Sequence, residues 1–524
     1  MEVKGMVEAW VISTSVIVGY SIVCLIIGFV TMRVLKLTID DFFVMGRTAG
    51  FIVLFLVTAA TYHSAFAVLT SAATAVTHGV AWWVGSCGWT VCAGMVAMVM
   101  GPRYWYLGRR FGYITLADLL ADFYESRLLR WIVAILMALW IIPYITVQAI
   151  GYGLIMTIAT EGRVPYVWAS LILTLVTMIY CVMGGQRATA WTDVLQGVWM
   201  YVMVWVVSLV VTFNAIGGPG PLFEEVAKIR PELLSVPMTG WSAPGAILSN
   251  YLIFSLGLML TMQHLQMRFY AARDPPTIRR SQFFTTLYLS TIYVPPVLTG
   301  LTGFLLIQRK VIPPLAEITA KYGTVDAMLP LLTSMYAPAV LAGLLFAGAI
   351  AAAMSTQDGF LLATSTVITN DMLRKGVNLK ASEKGWVNIG RVFMAIFAFI
   401  GWYFAVTRPG YIFDLVALAC AGCLQFAPAT LIAIYPHRRV LITKWGAIIG
   451  IIVGTLILAL GYFKLITLPI LGALGPLHAG VWGFIFNIIV ALIVSLFTKP
   501  PSKETLTRIY GCLEEALYGK PITT

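Results

Sequence analysis

The chain has 524 residues, of which 60% are hydrophobic and only 11% charged. Soluble domains are about a quarter charged, so this composition excludes an ordinary soluble enzyme or binding module and points to a polytopic membrane protein. The net charge of +12 is read as a statement about orientation in a lipid bilayer, and no nucleic-acid partner is expected.

Apolar runs long enough to cross ~30 Å of hydrocarbon predict thirteen membrane spans. They lie at 9–32, 50–77, 80–101, 128–158, 164–183, 189–215, 244–271, 281–307, 337–371, 388–407, 410–435, 442–463 and 477–497. Residues 1–499 therefore read as one all-α transmembrane domain. The first run lacks a basic flank and a small-residue cleavage site, so no cleavable leader is expected. Several runs exceed 25 residues, which demands tilt or a break. Between them, 115–130 is amphipathic, and 218–241 and 309–324 read as short interfacial helices on the other face. The stretch 500–524 is a tail too short for a kinase, nucleotide-binding or signalling module. No GxxxxGK[ST] motif occurs, so ATP is not expected to supply the energy.

Charge tests the count. Among the 34 Lys and Arg residues, the predicted topology places all on one face except Lys4, Arg163, Lys228, Arg230, Arg309, Lys310, Lys321, Arg408 and Lys464. By the positive-inside bias the N-terminus is expected outside and the C-terminus in the cytoplasm, with the chain in the plasma membrane.

Polar groups inside the spans carry the chemistry. An Asp at a helix centre costs ~2.5–3.5 kcal/mol on insertion scales, so each cluster needs a cause. Three segments stand out: 58–79, rich in small and hydroxyl residues; 255–269, with Ser255 and Gly257 mid-span; and "AGAIAAAMSTQDGFLLATSTVITND" at 347–371. Spans two to six and seven to eleven divide into two sets of five, about 50–215 and 244–435, each led by one of the unusual helices. Inverted-repeat transporters place discontinuous helices at such corresponding positions, and 58–65 and Gly257 are the expected breaks. Ser355 and Thr356 can turn both hydroxyls into one gap, with small Ala352 one turn earlier admitting a neighbouring backbone. Two hydroxyls plus carbonyls from a broken 58–65 segment would replace the water around a monovalent cation. The alternative is structural: such hydroxyls bond to a preceding carbonyl or glue helices together. Asp358, His63 and His264 each read either as coupling groups or as packed, hydrogen-bonded side chains. Cys420-x2-Cys423 has no companion pair and reads as core packing rather than a metal site.

"AAAMSTQDGFLLATSTVITND" resembles the sodium:solute symporter family, which includes proline, pantothenate, sugar and monocarboxylate permeases. "MGGQRATAWTDVLQGVWM" at 183–200, "MRFYAARDPPTIRRS" at 267–281 and "LQFAPATLIAIYPHRRVLITKWGAIIG" at 424–450 are similar to further stretches of that family. Gln186, where an apolar residue is usual, and the spacing to Gly446 and Ala447 depart from its pattern. The resemblance implies a LeuT-like five-plus-five inverted-repeat core of about 13 transmembrane helices. It also implies a co-transported sodium ion held by the carbonyls of Ala59, Tyr62 and Ala352 and the hydroxyls of Ser355 and Thr356. Asp193 matches an acidic residue tied to cation release.

The solute is expected to be a small organic molecule. Ala65 and Phe66 stand where sugar-transporting relatives carry Glu and Gln, which disfavours a polyhydroxylated sugar. A monocarboxylate or amino acid, held in part by exposed helix-end amides, is favoured, with Ser64, Tyr144, Gln148 and Ser255 as candidate lining. The expected activity is sodium-coupled symport by alternating access. Proton coupling through Asp358, His63 or Asp193 is the alternative, and a solute sensor without transport is the rival of another class. No enzymatic cluster is apparent.

Overall fold

A computed structural model describes residues 8–236, 244–407, 411–437, 440–470 and 475–519. Lys4, Arg408, Arg438, Arg439 and Lys520 of the charge argument, and the end of the 218–241 stretch, lie outside the described residues. Nine helices are individually long and apolar enough to cross a membrane among the described residues, and three bent pairs raise the total to 12. The thirteenth span comes from dividing the longest helix, which turns at Gly185.

The chain opens with α1 (Ala9–Val34) and a short α2 (Ile39–Val44) capped by Thr38, whose hydroxyl accepts the Asp41 amide. Next come α3 (Phe51–Tyr62) and α4 (Phe66–His78), bent by 60° at the break between them. Then follow α5 (Val80–Phe111), α6 (Leu116–Phe123), α7 (Arg127–Ala159), α8 (Tyr166–Ile216) and the interfacial α9 (Pro219–Ile229). Ser126 caps α7 and Thr115 caps α6, each accepting an amide from the first turn. At Gly185 the backbone takes φ 54°, and a Cβ there would lie 2.6 Å from the Phe42 carbonyl. Only glycine suits that turn.

The second half starts with α10 (Pro244–Leu260) and α11 (Gln263–Ala271), bent by 48°. Gly257 stays helical, contrary to expectation, and the chain breaks instead at Thr261 and Met262. The missing side chain at Gly257 serves packing: a Cβ would sit 2.1 Å from the Cys420 carbonyl. Beyond lie α12 (Pro275–Gln308), α13 (Leu315–Tyr322), α14 (Met328–Tyr336), α15 (Ala339–Arg374) and α16 (Glu383–Thr407). The pair α17 (Ile412–Leu424) and α18 (Ala427–Ile434) bends by 47°. The chain ends with α19 (Lys444–Tyr462), α20 (Ala479–Leu496) and α21 (Lys503–Tyr518).

At the centre, α15 packs against α1, α7 and α8. From Ala347 to Ala353 it presents only Ala, Gly and Ile, all buried. Small residues let helix backbones approach where no hydrophobic force separates helix from lipid. That approach brings the hydroxyls of α15 to the break between α3 and α4.

Candidate functional site

Helix α3 ends at Tyr62 because His63 takes extended backbone angles, which frees the carbonyls of its last turn. Ser355 donates to the Ala60 carbonyl at 2.9 Å and to Ala352 at 3.2 Å. Thr356 reaches the carbonyls of His63 at 2.8 Å, Thr61 at 3.2 Å and Ala352 at 3.2 Å. Two hydroxyls carry two hydrogens, yet four carbonyl oxygens surround them. The cluster is therefore rich in oxygen lone pairs and short of protons, without a formal charge. Of the carbonyls implied by the resemblance, Ala352 belongs to this cluster, while that of Ala59 accepts the His63 amide at 3.2 Å. Tyr62 is buried with its phenol unpartnered.

Beside this cluster, Asp193 on α8 accepts from the Thr61 hydroxyl at 3.1 Å and from Arg268 at 3.2 Å. Arg268 also donates to Thr61 at 3.0 Å. Its side chain is 1% exposed, whereas the charge argument had counted it simply among the basic residues of one membrane face. The tertiary partner explains the difference: a buried guanidinium persists where a carboxylate compensates it. Thr61 and Arg268 lie in the segments 58–79 and 255–269 that stood out in the sequence, but neither was named as a site residue. Asp358 lies beside this group, accepts from Tyr180 at 2.8 Å and leaves its other oxygen unpartnered. His63 packs between the rings of Tyr288 and Tyr293, 5.7 and 5.3 Å away, with both ring nitrogens unpartnered. His264 lies 4.1 Å from the Phe360 ring.

The amides freed beyond the break are held by side chains. Gln148 accepts from the Ala65 amide at 3.2 Å, and Ser64 accepts from Phe66 at 3.2 Å. Gln148 also donates to the Tyr144 carbonyl at 3.0 Å, and the Tyr144 ring lies 4.5 Å from that of Phe360. Ser255, on α10, is buried and unpartnered. Aromatic rings pack around Phe66, whose amide is one of those freed: Phe66 and Phe413 are 5.8 Å apart, and Trp89 and Phe254 4.8 Å.

Two further buried carboxylates, Asp326 and Asp118, each tie separate segments together. Opposite the basic face, Asp326 accepts from Thr70 of α4 at 2.9 Å, from Thr324 at 2.7 Å and from the Ile412 amide at 3.3 Å. Burial pushes its carboxyl upward. On the basic face, Asp118 of α6 accepts from Arg130 and Lys375 at 2.6 Å each and from Asn370 at 3.0 Å. Burial alone would raise the Asp118 carboxyl, but Lys375 and Arg130 outweigh it and hold it below the usual carboxylate range. Thr115 donates to Asp371 at 2.8 Å. Gln263, the first residue of α11, donates to the Ile114 carbonyl at 2.8 Å and accepts the Leu116 amide at 3.0 Å. The sequence offered one faint signal here, the Thr-x-x-Asp start of α6, which reads as a helix cap rather than a gate.

The chain matches the sodium:solute symporter family over residues 42–454. It is 27% identical to the osmoregulated proline transporter OpuE of Bacillus subtilis, over 76% of this chain and 78% of that protein. It is 26% identical to a sodium/pantothenate symporter of Haemophilus influenzae, over 82% and 84%. The fold is shared with a Na+-coupled sialic acid symporter solved in a substrate-bound outward-open state. That match has a TM-score of 0.78 at 18% identity and covers 94% of this chain and 98% of the other. Helix count, paired broken helices and sequence match agree, and the chain belongs to the sodium:solute symporter family, a multi-pass membrane transporter of LeuT-like fold rather than an enzyme.

Proposed function

We propose that this protein couples the entry of sodium to the uptake of a small carboxylate-bearing organic solute, with an amino acid or monocarboxylate favoured. One observation carries the cation site: the carbonyls of Ala60, Thr61 and His63 at a helix break gather, with that of Ala352 on the unbroken facing helix, around two hydroxyls, so the three at the break alone outnumber the two hydroxyl hydrogens. A monovalent cation balances that surplus, because dehydrated hard cations take several oxygen ligands. The proposed ligands are the hydroxyls of Ser355 and Thr356 with carbonyls from Ala59, Tyr62 and Ala352. Ala60, Thr61 and His63 present further oxygens on the same turn. Asp193, already bridging to Thr61, takes the cation on its way out.

The solute reading rests on the amides of Ala65 and Phe66. Gln148 and Ser64 occupy them with neutral oxygens, and a carboxylate binds such N–H groups more strongly. Tyr144 and Ser255 complete the polar lining. The halves 50–215 and 244–435 are the repeats that rock about this site. The basic face is cytoplasmic, the N-terminus lies outside, and the protein resides in the plasma membrane. Sodium binds the conformation that binds solute, and the coupling is reciprocal. A membrane potential adds about 2.3 kcal/mol per charge for each 100 mV.

A second reading has its own observation: one Asp358 oxygen and both His63 nitrogens are buried without partners, so a proton could be the coupling ion. Proteoliposomes given a sodium gradient or a proton gradient alone, with radiolabelled proline and a panel of short organic acids as probes, separate the two. Full accumulation without sodium refutes the first reading.

A further inference from the structure

The tail helix α21 lies against the gate rather than beyond it. Its N-cap Ser502 and Thr505 both donate to Glu125, the latter at 2.6 Å. Arg508 holds Asp122 in a two-pronged pair at 2.9 and 2.8 Å and stacks over the Phe111 ring at 4.9 Å. Tyr510 donates to the Ile432 carbonyl at 2.6 Å and lies 5.4 Å from the Phe123 ring. Ile509 and Leu513 are fully buried beneath it.

These anchors fall on α6, its flanking turn, the end of α18 and, through Phe111, the C-terminal end of α5. The same short helix, through Asp118 and the neighbouring Thr115, holds the ends of α15 and α7. Through its first backbone groups it holds Gln263 at the α10–α11 break. Eight residues of helix thus lie between a latch on one side and the tail on the other. A helix that short has little stability of its own, so its position depends on what grips it from both sides.

We infer that α21 positions the basic-face gate: by clamping α6 through Arg508, Asp122 and Glu125, it holds the Asp118 latch closed and sets how readily the transporter opens toward that face. The tail is then a built-in brake on one half of the cycle. Whatever displaces it, a competing peptide or an altered charge on its inner surface, would favour opening. This inference rests on the alternating-access reading, but its test needs neither solute nor a coupling ion.

The full chain is placed in lipid nanodiscs in sodium chloride, and amide hydrogen exchange is followed by mass spectrometry. Arg508→Glu is expected to speed exchange on the order of ten-fold over 114–123 and over 367–375, the latter tied to α6 through Asp118 and Thr115, as a local opening would. Segment 325–336 at the opposite latch keeps its rate. Combining Asp122→Arg with Arg508→Asp is expected to return both segments to within about two-fold of the original rates, as a restored pair should. A chain ending at Pro501 gives the same signature without an inserted charge. Faster exchange confined to 503–518, with 367–375 unchanged in the truncated chain, overturns the inference. So does a swapped pair that folds yet restores nothing. Failure of sodium-driven uptake would overturn the transport reading and leave this result standing.

Discussion

Replacing Thr356 by Val keeps the shape of the side chain and removes one hydroxyl from the proposed cation cluster. That oxygen stands against the carbonyls of His63, Thr61 and Ala352. A polar contact to a charged group is worth ~1.5–3 kcal/mol, so losing about 2 kcal/mol weakens sodium binding roughly thirty-fold. The assay is thermal stability without solute, in sodium chloride against choline chloride at equal ionic strength. At a sodium concentration about a hundred times its dissociation constant, the original protein gains about 2.7 kcal/mol by mass action. At the same concentration the variant gains only about 0.9 kcal/mol. Its sodium-free melting temperature also falls, because three carbonyls lose a donor, and this loss must be subtracted first. If the variant melts lower but keeps the whole sodium-dependent gain, the hydroxyl is helix glue and the cation site is elsewhere.

Three further outcomes are expected. Arg268→Gln strands the buried Asp193 carboxylate and should cost about 3–5 kcal/mol in a denaturant titration; adding Asp193→Asn should recover much of that loss, and purely additive losses would show that the pair is not coupled. Gly257→Ala forces a methyl group toward the Cys420 carbonyl and should cost about 1–3 kcal/mol by overpacking, read as a lower melting temperature. Tail docking should depend on pH. Burial raises the Asp122 carboxyl but the Arg508 and Tyr113 donors lower it further, and the Ser502 and Thr505 hydroxyls lower Glu125. Depressed carboxyls stabilise the docked form fully above their ordinary values near 4. The contribution fades as pH falls through the lower docked values, so protease should cut the tail readily only in strong acid; release at neutral pH would refute the assignment.

The spans were legible because hydrophobic length and charge alternation are local properties of a chain. The break in the first half was legible for a related reason: polar side chains are costly in lipid, so 58–65 stood out, as did the paired hydroxyls at 355–356 on the unbroken helix that faces it. What the letters hid were partnerships. Arg268 was counted only among the basic residues of one face, because its carboxylate partner is 75 residues away in the chain. Gly257 looked like a hinge, but a glycine that admits another backbone and one that bends a helix are alike in sequence. Asp118 and Asp371, 253 positions apart, meet only after α6 folds under α15, and neither carries a local pattern that announces the meeting.

Gln263 deserves a last consequence. Its amide grips both sides of the same backbone step, the Ile114 carbonyl and the Leu116 N–H, and it is the residue that restarts helix after the kink in the second half. Such a two-point grip has no half-engaged geometry: sliding by about an ångström spoils both contacts together, since hydrogen bonds weaken steeply off their preferred distance and angle. Motion at the kink therefore reaches the membrane surface as a step rather than a slope, and the protein is built to dwell at either end of its stroke.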